Sequence, residues 1–318
     1  MATKDFTFID LFAGIGGMRL GFEAAGGKCL LTSDIDESAL KTYKENYHPK
    51  HDHKYTGDIF KIQSKDVPNH DILIAGFPCQ PYSLAGLRKG LDDPRGTVFL
   101  EIVRILEDKK PKAFLLENVK GLVGHDKGAT FDYIISMLTG AGYHVTYKVL
   151  NTMTHGNVPQ NRERVFLVGF RDEKASKNFK FPEPVTLTKS IADMLEKGPV
   201  AAKYYYDKRF KSFAEIKKGV TKEGVVYQWR RQYVRANKSG VAPCLTANGG
   251  RGGHNIGLIK VSDGIRKLTP RECANLQGFP KSFKLPKDIA DSNLYHQLGN
   301  SVTVPLIARL AKNMAKEL

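Results

Sequence analysis

The sequence contains no apolar run approaching the roughly 20 residues needed to span a bilayer, so no contact with a membrane is expected. Its first residues, Met1-Ala2-Thr3-Lys4-Asp5, lack the basic-then-apolar layout of a secretion signal, which points to the cytoplasm. Cysteine is scarce. Cys29, Cys79, Cys244 and Cys273 are scattered, with no C-x-x-C pair and no His–Cys cluster at zinc spacing. Neither a disulfide framework nor a metal is therefore expected. Of the nine histidines, His48, His51 and His53 share a polar stretch that reads as a solvated loop. Acidic residues are too few to balance the basic ones, 33 against 49, giving a net charge of +16 and a pI near 9.5. Such an excess fits a polyanionic partner, either nucleic acid or an acidic surface. Internal repeats and low-complexity segments are also absent.

What is present suffices for one large core, or a core with a smaller second domain: 318 residues, including 17 Phe and 13 Tyr. The chain is organised around Asp71-Ile72-Leu73-Ile74-Ala75, a buried-strand pattern, followed by Gly76-Phe77-Pro78-Cys79-Gln80-Pro81-Tyr82-Ser83. A lone cysteine is more often a small buried hydrophobe than a nucleophile. Here Pro78 and Pro81 cannot donate to a sheet ladder, so Cys79 is expected on a stiffened turn at the carboxyl end of a strand. Open α/β sheets bind their ligands at that end. Glu117 closes a second apolar run, Lys112–Leu116, and can reach the same edge. A thiol and a carboxylic acid would then face one pocket. The loop after Cys79 carries Gly86, Arg88, Lys89, Gly90, Arg95 and Gly96.

The amino-terminal stretch reads strand (Phe6–Phe12), glycine turn (Ala13-Gly14-Ile15-Gly16-Gly17) and helix, the nucleotide-binding opening of an α/β domain. A second strand, Lys28–Ser33, ends in Asp34-Ile35-Asp36. Asp34 is placed to accept ribose hydroxyls, and Asp36 suits the N-cap of a helix over 37–46. After Thr56-Gly57, the Asp58 carboxylate is placed to meet an exocyclic amine of adenine. Further strands near 71–75, 112–116, 143–150 and 164–170 alternate with helices near 97–107 and 130–139, which argues for a mostly parallel sheet covered on both faces. In Pro159-Gln160-Asn161-Arg162-Glu163-Arg164, the two arginines share one face of an extended segment and suit a phosphate or a base carbonyl.

Composition shifts after Phe181-Pro182-Glu183-Pro184. Between Lys203 and Lys238 eleven Lys/Arg stand against three Asp/Glu, half of the whole excess charge, interleaved with Tyr204, Tyr205, Tyr206, Phe210, Phe213, Tyr227, Trp229 and Tyr233. Basic residues alternating with aromatics favour a surface that grips a nucleic-acid backbone. Gln228, Arg230, Arg231 and Arg235 carry forks that match base edges. Leu245 to His254, including Thr246 and Asn248, reads as a mobile glycine loop. The expected division is a catalytic domain over 1–185, completed by 296–318, a DNA-holding domain over 186–265 and a connecting hinge over 266–295. In the tail, Thr269, Pro270 and Glu272 form a helix start with a capping box, and a last amphipathic helix begins at Pro305.

Six motifs in order carry a resemblance: Phe12-Ala13-Gly14-Ile15-Gly16-Gly17, Pro78-Cys79-Gln80, Glu117-Asn118-Val119, Gln160-Asn161-Arg162-Glu163-Arg164, Arg271-Glu272-Cys273-Ala274 and Gly299-Asn300-Ser301-Val302. The chain resembles the DNA (cytosine-5)-methyltransferases, in particular single-chain bacterial enzymes of restriction–modification systems, over nearly its whole length outside 186–265. The resemblance implies a Rossmann-like α/β fold of the class I S-adenosylmethionine-dependent methyltransferases with a smaller DNA-recognition domain. It implies that Phe12, Ala13, Gly14, Ile15, Gly16, Gly17, Asp34, Ile35, Asp58, Ile59, Pro78, Asn300 and Val302 hold S-adenosylmethionine. Asp34 stands where many relatives have Glu, and Ile35 where an aromatic is common. Cys79 would attack C6 of a cytosine flipped out of the duplex, Glu117 would donate to N3, and Arg164, with Arg162 behind it, would hold O2. Gln80, Ser83, Arg88, Lys89 and Arg95 would contact DNA, with the 80–96 loop closing over the base. Gln228, Arg230, Arg231, Arg235, Thr246 and Asn248 would bind it from the other side. The expected partner is double-stranded DNA, met by a monomer that acts beside a cognate endonuclease in the bacterial cytoplasm, at the nucleoid. Two alternatives remain at this point: an RNA (tRNA) cytosine-5-methyltransferase, and an inactive DNA-binding relative.

Overall fold

The computed structural model describes residues 5–47, 53–78, 97–230, 232–237, 239–249 and 256–318. Cys79, Gln80, Ser83, Arg88, Lys89, Arg95 and Arg231 lie outside them. The first strands are β1 (Phe6–Leu11), β2 (Gly27–Ser33), β3 (Lys54–Thr56), β4 (Ile72–Gly76), β5 (Ala113–Val119), β6 (His144–Asn151), β7 (Gln160–Asn161) and β8 (Glu163–Phe170). Seven of them form one sheet in the order β3-β2-β1-β4-β5-β8-β6. β8 runs antiparallel between β5 and β6, and the other pairs are parallel. The chain winds outward in one direction from β1 to β3 and in the other from β4 to β5. The switch point therefore lies between β1 and β4, where a crevice opens at the carboxyl ends of the strands.

Continuous burial on β1, β4 and β5 explains their near-unbroken apolar runs, since helices cover both faces. On one face Phe99, Ile102, Leu106, Ile134 and Leu138 pack against Ile9, Leu73 and Leu116. On the other, the Val304–Ala315 helix brings Ile307, Leu310 and Met314 onto Phe8, Phe22 and Val168. Its approach to the Gly17–Glu23 helix is so close that a Cβ on Gly21 would stand 2.5 Å from Ile307. The carboxy-terminal helix is thus part of the first layer of the large sheet.

Smaller strands follow: β9 (Tyr227–Trp229), β10 (Val234–Ala236), β11 (Ala242–Pro243), β12 (Leu258–Val261) and β13 (Gly264–Lys267). They give a four-stranded sheet, β10-β9-β12-β13, with its own core of Ile216, Val220, Tyr227, Trp229, Leu258 and Ile265. β13 runs across position 265. β11 pairs in parallel with β7, which joins this region to the edge of the catalytic one. Tyr227 and Trp229 face this core and Gln228 and Arg230 alternate away from it, so the period-2 pattern turns the aromatics inward. The expected aromatic grip on nucleic acid is therefore not offered by these two, whereas Phe210 and Tyr233 are exposed. The helix start at Thr269 forms as expected, with the capping box closed by Glu272. The same carboxylate takes a buried two-pronged ion pair from Arg266, at 2.7 and 2.6 Å. Among the described residues no helix is long and apolar enough to cross a membrane.

Candidate active site

A cavity of about 640 Å³ occupies the switch-point crevice. One wall is the turn after β1. Phe12 leaves the strand with φ +57°, a left-handed conformation that costs a non-glycine residue on the order of 1–3 kcal/mol. Gly14 follows with φ +54°, and nothing lies within 4 Å of where its Cβ would be, so a ligand can rest on bare backbone. Asp34, at the end of β2, holds this turn: its Oδ2 accepts from Gly14 N at 2.6 Å and its Oδ1 from Asp36 N at 2.8 Å. Burial raises its carboxyl above the ordinary range, opposed by those two amides. Asp36 caps the Glu37–Asn46 helix, as expected.

Phe12, Ala13, Gly14, Gly17, Asp34, Ile35, Asp58, Ile59, Pro78, Asn300 and Val302 all line the cavity. Ile15 and Gly16 do not. Ile15 is buried in the core beside Tyr43 and Tyr47, and Gly16 lies against the Tyr47 ring, whose hydroxyl donates to its carbonyl at 2.7 Å. The turn alternates between ligand and core, and the motif alone does not say which residues face which. Ile35 is 76% exposed and Phe60 46%, two apolar side chains left open on one cavity. A flat aromatic base would cover them, and the Asp34 carboxylate beside them could accept hydroxyl donors with its remaining lone pairs. These residues fit an adenosine-bearing methyl donor.

The far end of the cavity holds Glu117, Arg162 and Arg164. Gly76 of β4 pairs with Glu117 of β5, and Val119 pairs with Arg164 of β8. Glu117 and Val119 share a face, so Arg164 lies diagonal to Glu117. Its Nε comes within 3.0 Å of Glu117 Oε1, an ion contact without hydrogen-bond alignment, in a site where the carboxyl group is buried. Asn118 donates to the Phe77 carbonyl at 3.0 Å and so pins the backbone that leads into Pro78 and Cys79.

Arg162 is 2% exposed, and its guanidinium is taken up by backbone. It donates to Leu245 O at 2.8 Å, Gly299 O at 3.2 Å and Ser301 O at 2.5 Å. Burial lowers its pKa to about 10, which leaves it charged at neutral pH. Gln160 completes the joint, accepting from Leu245 N at 3.0 Å and donating to Leu276 O at 2.6 Å. Leu245, at the start of the glycine loop, is therefore anchored to the 160–162 segment that leads into β8. Cys244 was not singled out from sequence, yet its sulfur lies 3.4 Å from Arg162 Nη1 and 3.8 Å from Arg164 Nη2. Val98, Phe60, Phe77, His296 and Gln297 also line the cavity unforeseen. Phe60 and Phe77 had a signal, the first directly after Gly57-Asp58-Ile59 and the second directly before Pro78.

A second, polar groove of about 420 Å³ adjoins the first and is lined by Gln228, Arg230, Arg235, Thr246 and Asn248, together with Asn161, Asn237, Pro243 and Cys244. Arg235 is paired across the β9–β10 ladder with Gln228, whose Oε1 accepts from Arg230 Nη2 at 3.3 Å. Thr246 and Asn248 line both spaces.

Comparison with known proteins agrees with this arrangement. Residues 6–316 match the family model of the C-5 cytosine-specific DNA methylases. The chain is 48% identical over 312 residues to the Type II methyltransferase M.Bsp6I of Bacillus sp. (strain RFL6), covering 97% of this chain and 98% of that protein. It is 36% identical to the Type II methyltransferase M.HhaI of Haemophilus parahaemolyticus, over 98% of this chain and 94% of that one. The fold is also that of the S. pombe Dnmt2 methyltransferase crystal structure, with a TM-score of 0.75, 22% identity and 98% of both chains covered. The chain belongs to the C-5 cytosine-specific DNA methylase family.

Proposed function

We propose that the larger cavity receives a cytosine turned out of duplex DNA beside S-adenosylmethionine, and that the enzyme moves the methyl group to C5 of that base. The observation that carries this reading is the pairing of Glu117 with Arg164 at 3.0 Å at one end of a cavity whose other end is the Gly14–Asp34 turn. Family membership supports duplex DNA over RNA as the substrate, and an intact Glu117 and Cys79 support an active enzyme over a silent binder.

S-adenosylmethionine supplies an electrophilic methyl group on a positively charged sulfur. Cys79 follows directly on Pro78, a residue of the cavity wall, and its thiolate forms a bond to C6. Glu117 gives a proton to N3, so the electron pair pushed out of the C5–C6 double bond resides at C5, which takes the methyl group. Arg164 lies against Glu117 and aims its charge at O2, where negative charge gathers, with Arg162 behind it. A base such as water takes the proton from C5, Glu117 takes its proton back from N3 as the Cys79–C6 bond breaks, and the ring regains its C5–C6 double bond. Gly14 and Asp34 hold the donor's sugar and Ile35, Ile59 and Phe60 its base.

DNA lies across the second groove. Gln228, Arg230 and Arg235 read base edges there, and Thr246 and Asn248 meet the backbone beside the extruded nucleotide. Gln80, Ser83, Arg88, Lys89, Arg95 and Arg231 complete the contact. Residues 186–265 form the target-recognition domain and 266–295 the hinge. The enzyme works as a monomer in the bacterial cytoplasm, at the nucleoid, and shields sites from a cognate endonuclease. Its relatives' designation as Type II methyltransferases supports that setting.

The test is covalent trapping. With S-adenosylmethionine and a duplex carrying 5-fluorocytosine at the methylated position, found first by bisulfite sequencing, the enzyme forms an adduct that survives denaturation. Fluorine cannot leave as a proton does, so the Cys79–C6 bond persists. Cys79→Ala forms none. An adduct with the alanine variant, or faster methylation of tRNA than of duplex DNA, would falsify the reading.

A further inference from the structure

We propose that His296 is a positioning residue, which fixes the amide of Asn300 for the methyl donor and anchors that amide to the DNA-side loop. This inference rests on the reading of the cavity as a S-adenosylmethionine site. His296 lies half-buried in the Asp291–Asn300 helix, with Nδ1 2.8 Å from the Ala247 carbonyl oxygen. A carbonyl oxygen only accepts, so Nδ1 carries the ring proton. In the neutral imidazole Nε2 is then bare, and the Asn300 atom 3.2 Å from it must be the amide nitrogen. The sense of the amide follows from this chain of donors and acceptors. Nδ2 turns to the histidine, and Oδ1 is left for the cavity that the exposed Asn300 lines. S-adenosylmethionine ends in an α-ammonium, a donor that an oxygen of fixed sense accepts and a rotating amide would meet only part of the time.

The anchor is on the DNA side. Ala247 sits between Thr246 and Asn248, which line both the cavity and the polar groove. The helix backbone lies directly on this loop, for a Cβ on Gly299 would collide with the Thr246 carbonyl and stand 2.6 Å from Ala247 N. Moving the loop takes the Ala247 oxygen away from His296 and frees the Asn300 amide to turn. The donor pocket and the DNA groove thus share one hydrogen-bonded relay of three residues.

Titration calorimetry of the full-length enzyme with S-adenosylmethionine alone tests this. His296→Ala is expected to weaken binding about tenfold, the worth of one well-placed hydrogen bond. His296→Gln, which keeps one donor and one acceptor, is expected to hold within about threefold of the unaltered enzyme. In an Asn300→Ala background the histidine substitution is expected to have no further effect, because the two act as a unit. Should the alanine variant not fold, His296→Phe keeps the ring without its nitrogens and is read the same way. Unchanged affinity in His296→Ala, or an undiminished loss in the Asn300→Ala background, overturns the relay. No binding by the unaltered enzyme overturns the donor reading itself.

Discussion

Arginine does opposite work in the two cavities. At the sheet edge Arg162 is buried and holds three backbone carbonyls from two distant segments, 245 and 299–301. In the polar groove Arg230 and Arg235 are exposed, and the Arg230 guanidinium hydrogen-bonds the side chain of Gln228 on its own hairpin. The first arginine is fixed by the backbone around it; the other two, among the described residues, keep guanidinium donors exposed to solvent. Chemistry needs groups placed within fractions of an ångström, whereas reading a sequence needs hydrogen-bonding groups that can be exchanged. Within the charge excess near 203–238, Lys203 is paired with Asp291 and Arg209 with Asp207.

Removing Arg162 should break the comparison most visibly. Arg162→Ala removes the guanidinium shared by three buried carbonyls and leaves Ser301 O only the longer bond from Gln277 Nε2 at 3.3 Å, which is expected to lower unfolding stability by about 3 kcal/mol. Arg162→Lys, with one compact ammonium in place of a planar fork, should recover only part of it. Urea denaturation checks both. An alanine variant as stable as the parent would mean that the joint between the 245 loop and the large sheet holds without the guanidinium.

Arg235→Ala should do the reverse. Its stability is expected to stay within about 0.5 kcal/mol of the parent, as for exposed side chains generally. Affinity for the methylated site should fall about 10- to 100-fold, with looser choice of the base that it meets. Bisulfite sequencing of DNA treated with the variant reads that choice directly. A variant that loses affinity equally on all sequences would place Arg235 on phosphate instead.

The same contrast governs what could be read from sequence. The β4 strand, the place of Glu117 beside it and the Thr269 helix start were legible because strand length and capping chemistry act locally. The glycine turn was legible as a turn, but the inward set of Ile15 and Gly16 depends on Tyr47, more than thirty residues away. Trp229 and Tyr227 looked like a binding surface until a second sheet supplied the core that they fill. Arg162 stands two positions from Arg164 in the chain, yet one is a strut and the other meets the carboxylate. Which is which is decided by the 245 and 299–301 segments, whose arrival no local pattern announces.

The buried side of the comparison should also fail first in acid. Burial lowers the pKa of His53 and of His70 to about 4 and lowers that of His155 as well, all of them packed with the large sheet. No histidine occurs between Gly156 and Gly253, which includes β9 and β10 of the small sheet, or between Asn255 and Tyr295, which includes β12 and β13. For His53 and His70 the unfolded chain takes up the proton near pH 6.5 and the folded one only near pH 4, so between those values the unfolded state binds more protons and stability falls as pH falls. For His70 the loss on going from pH 7.5 to 5.5 is on the order of 1 kcal/mol. Asp10, whose buried carboxyl is raised well above the ordinary range, acts with the opposite sign, being less unfavourable once protonated. The parent curve therefore mixes both. His70→Asn separates them, because an asparagine amide can still donate to Pro68 O, as His70 Nδ1 does at 2.8 Å, but does not titrate. Its unfolding free energy is expected to drop less between pH 7.5 and 5.5 than the parent's. Hydrogen exchange at pH 5.5 should show the large sheet loosening before β9 and β12. Equal slopes in parent and variant would remove His70 from the account.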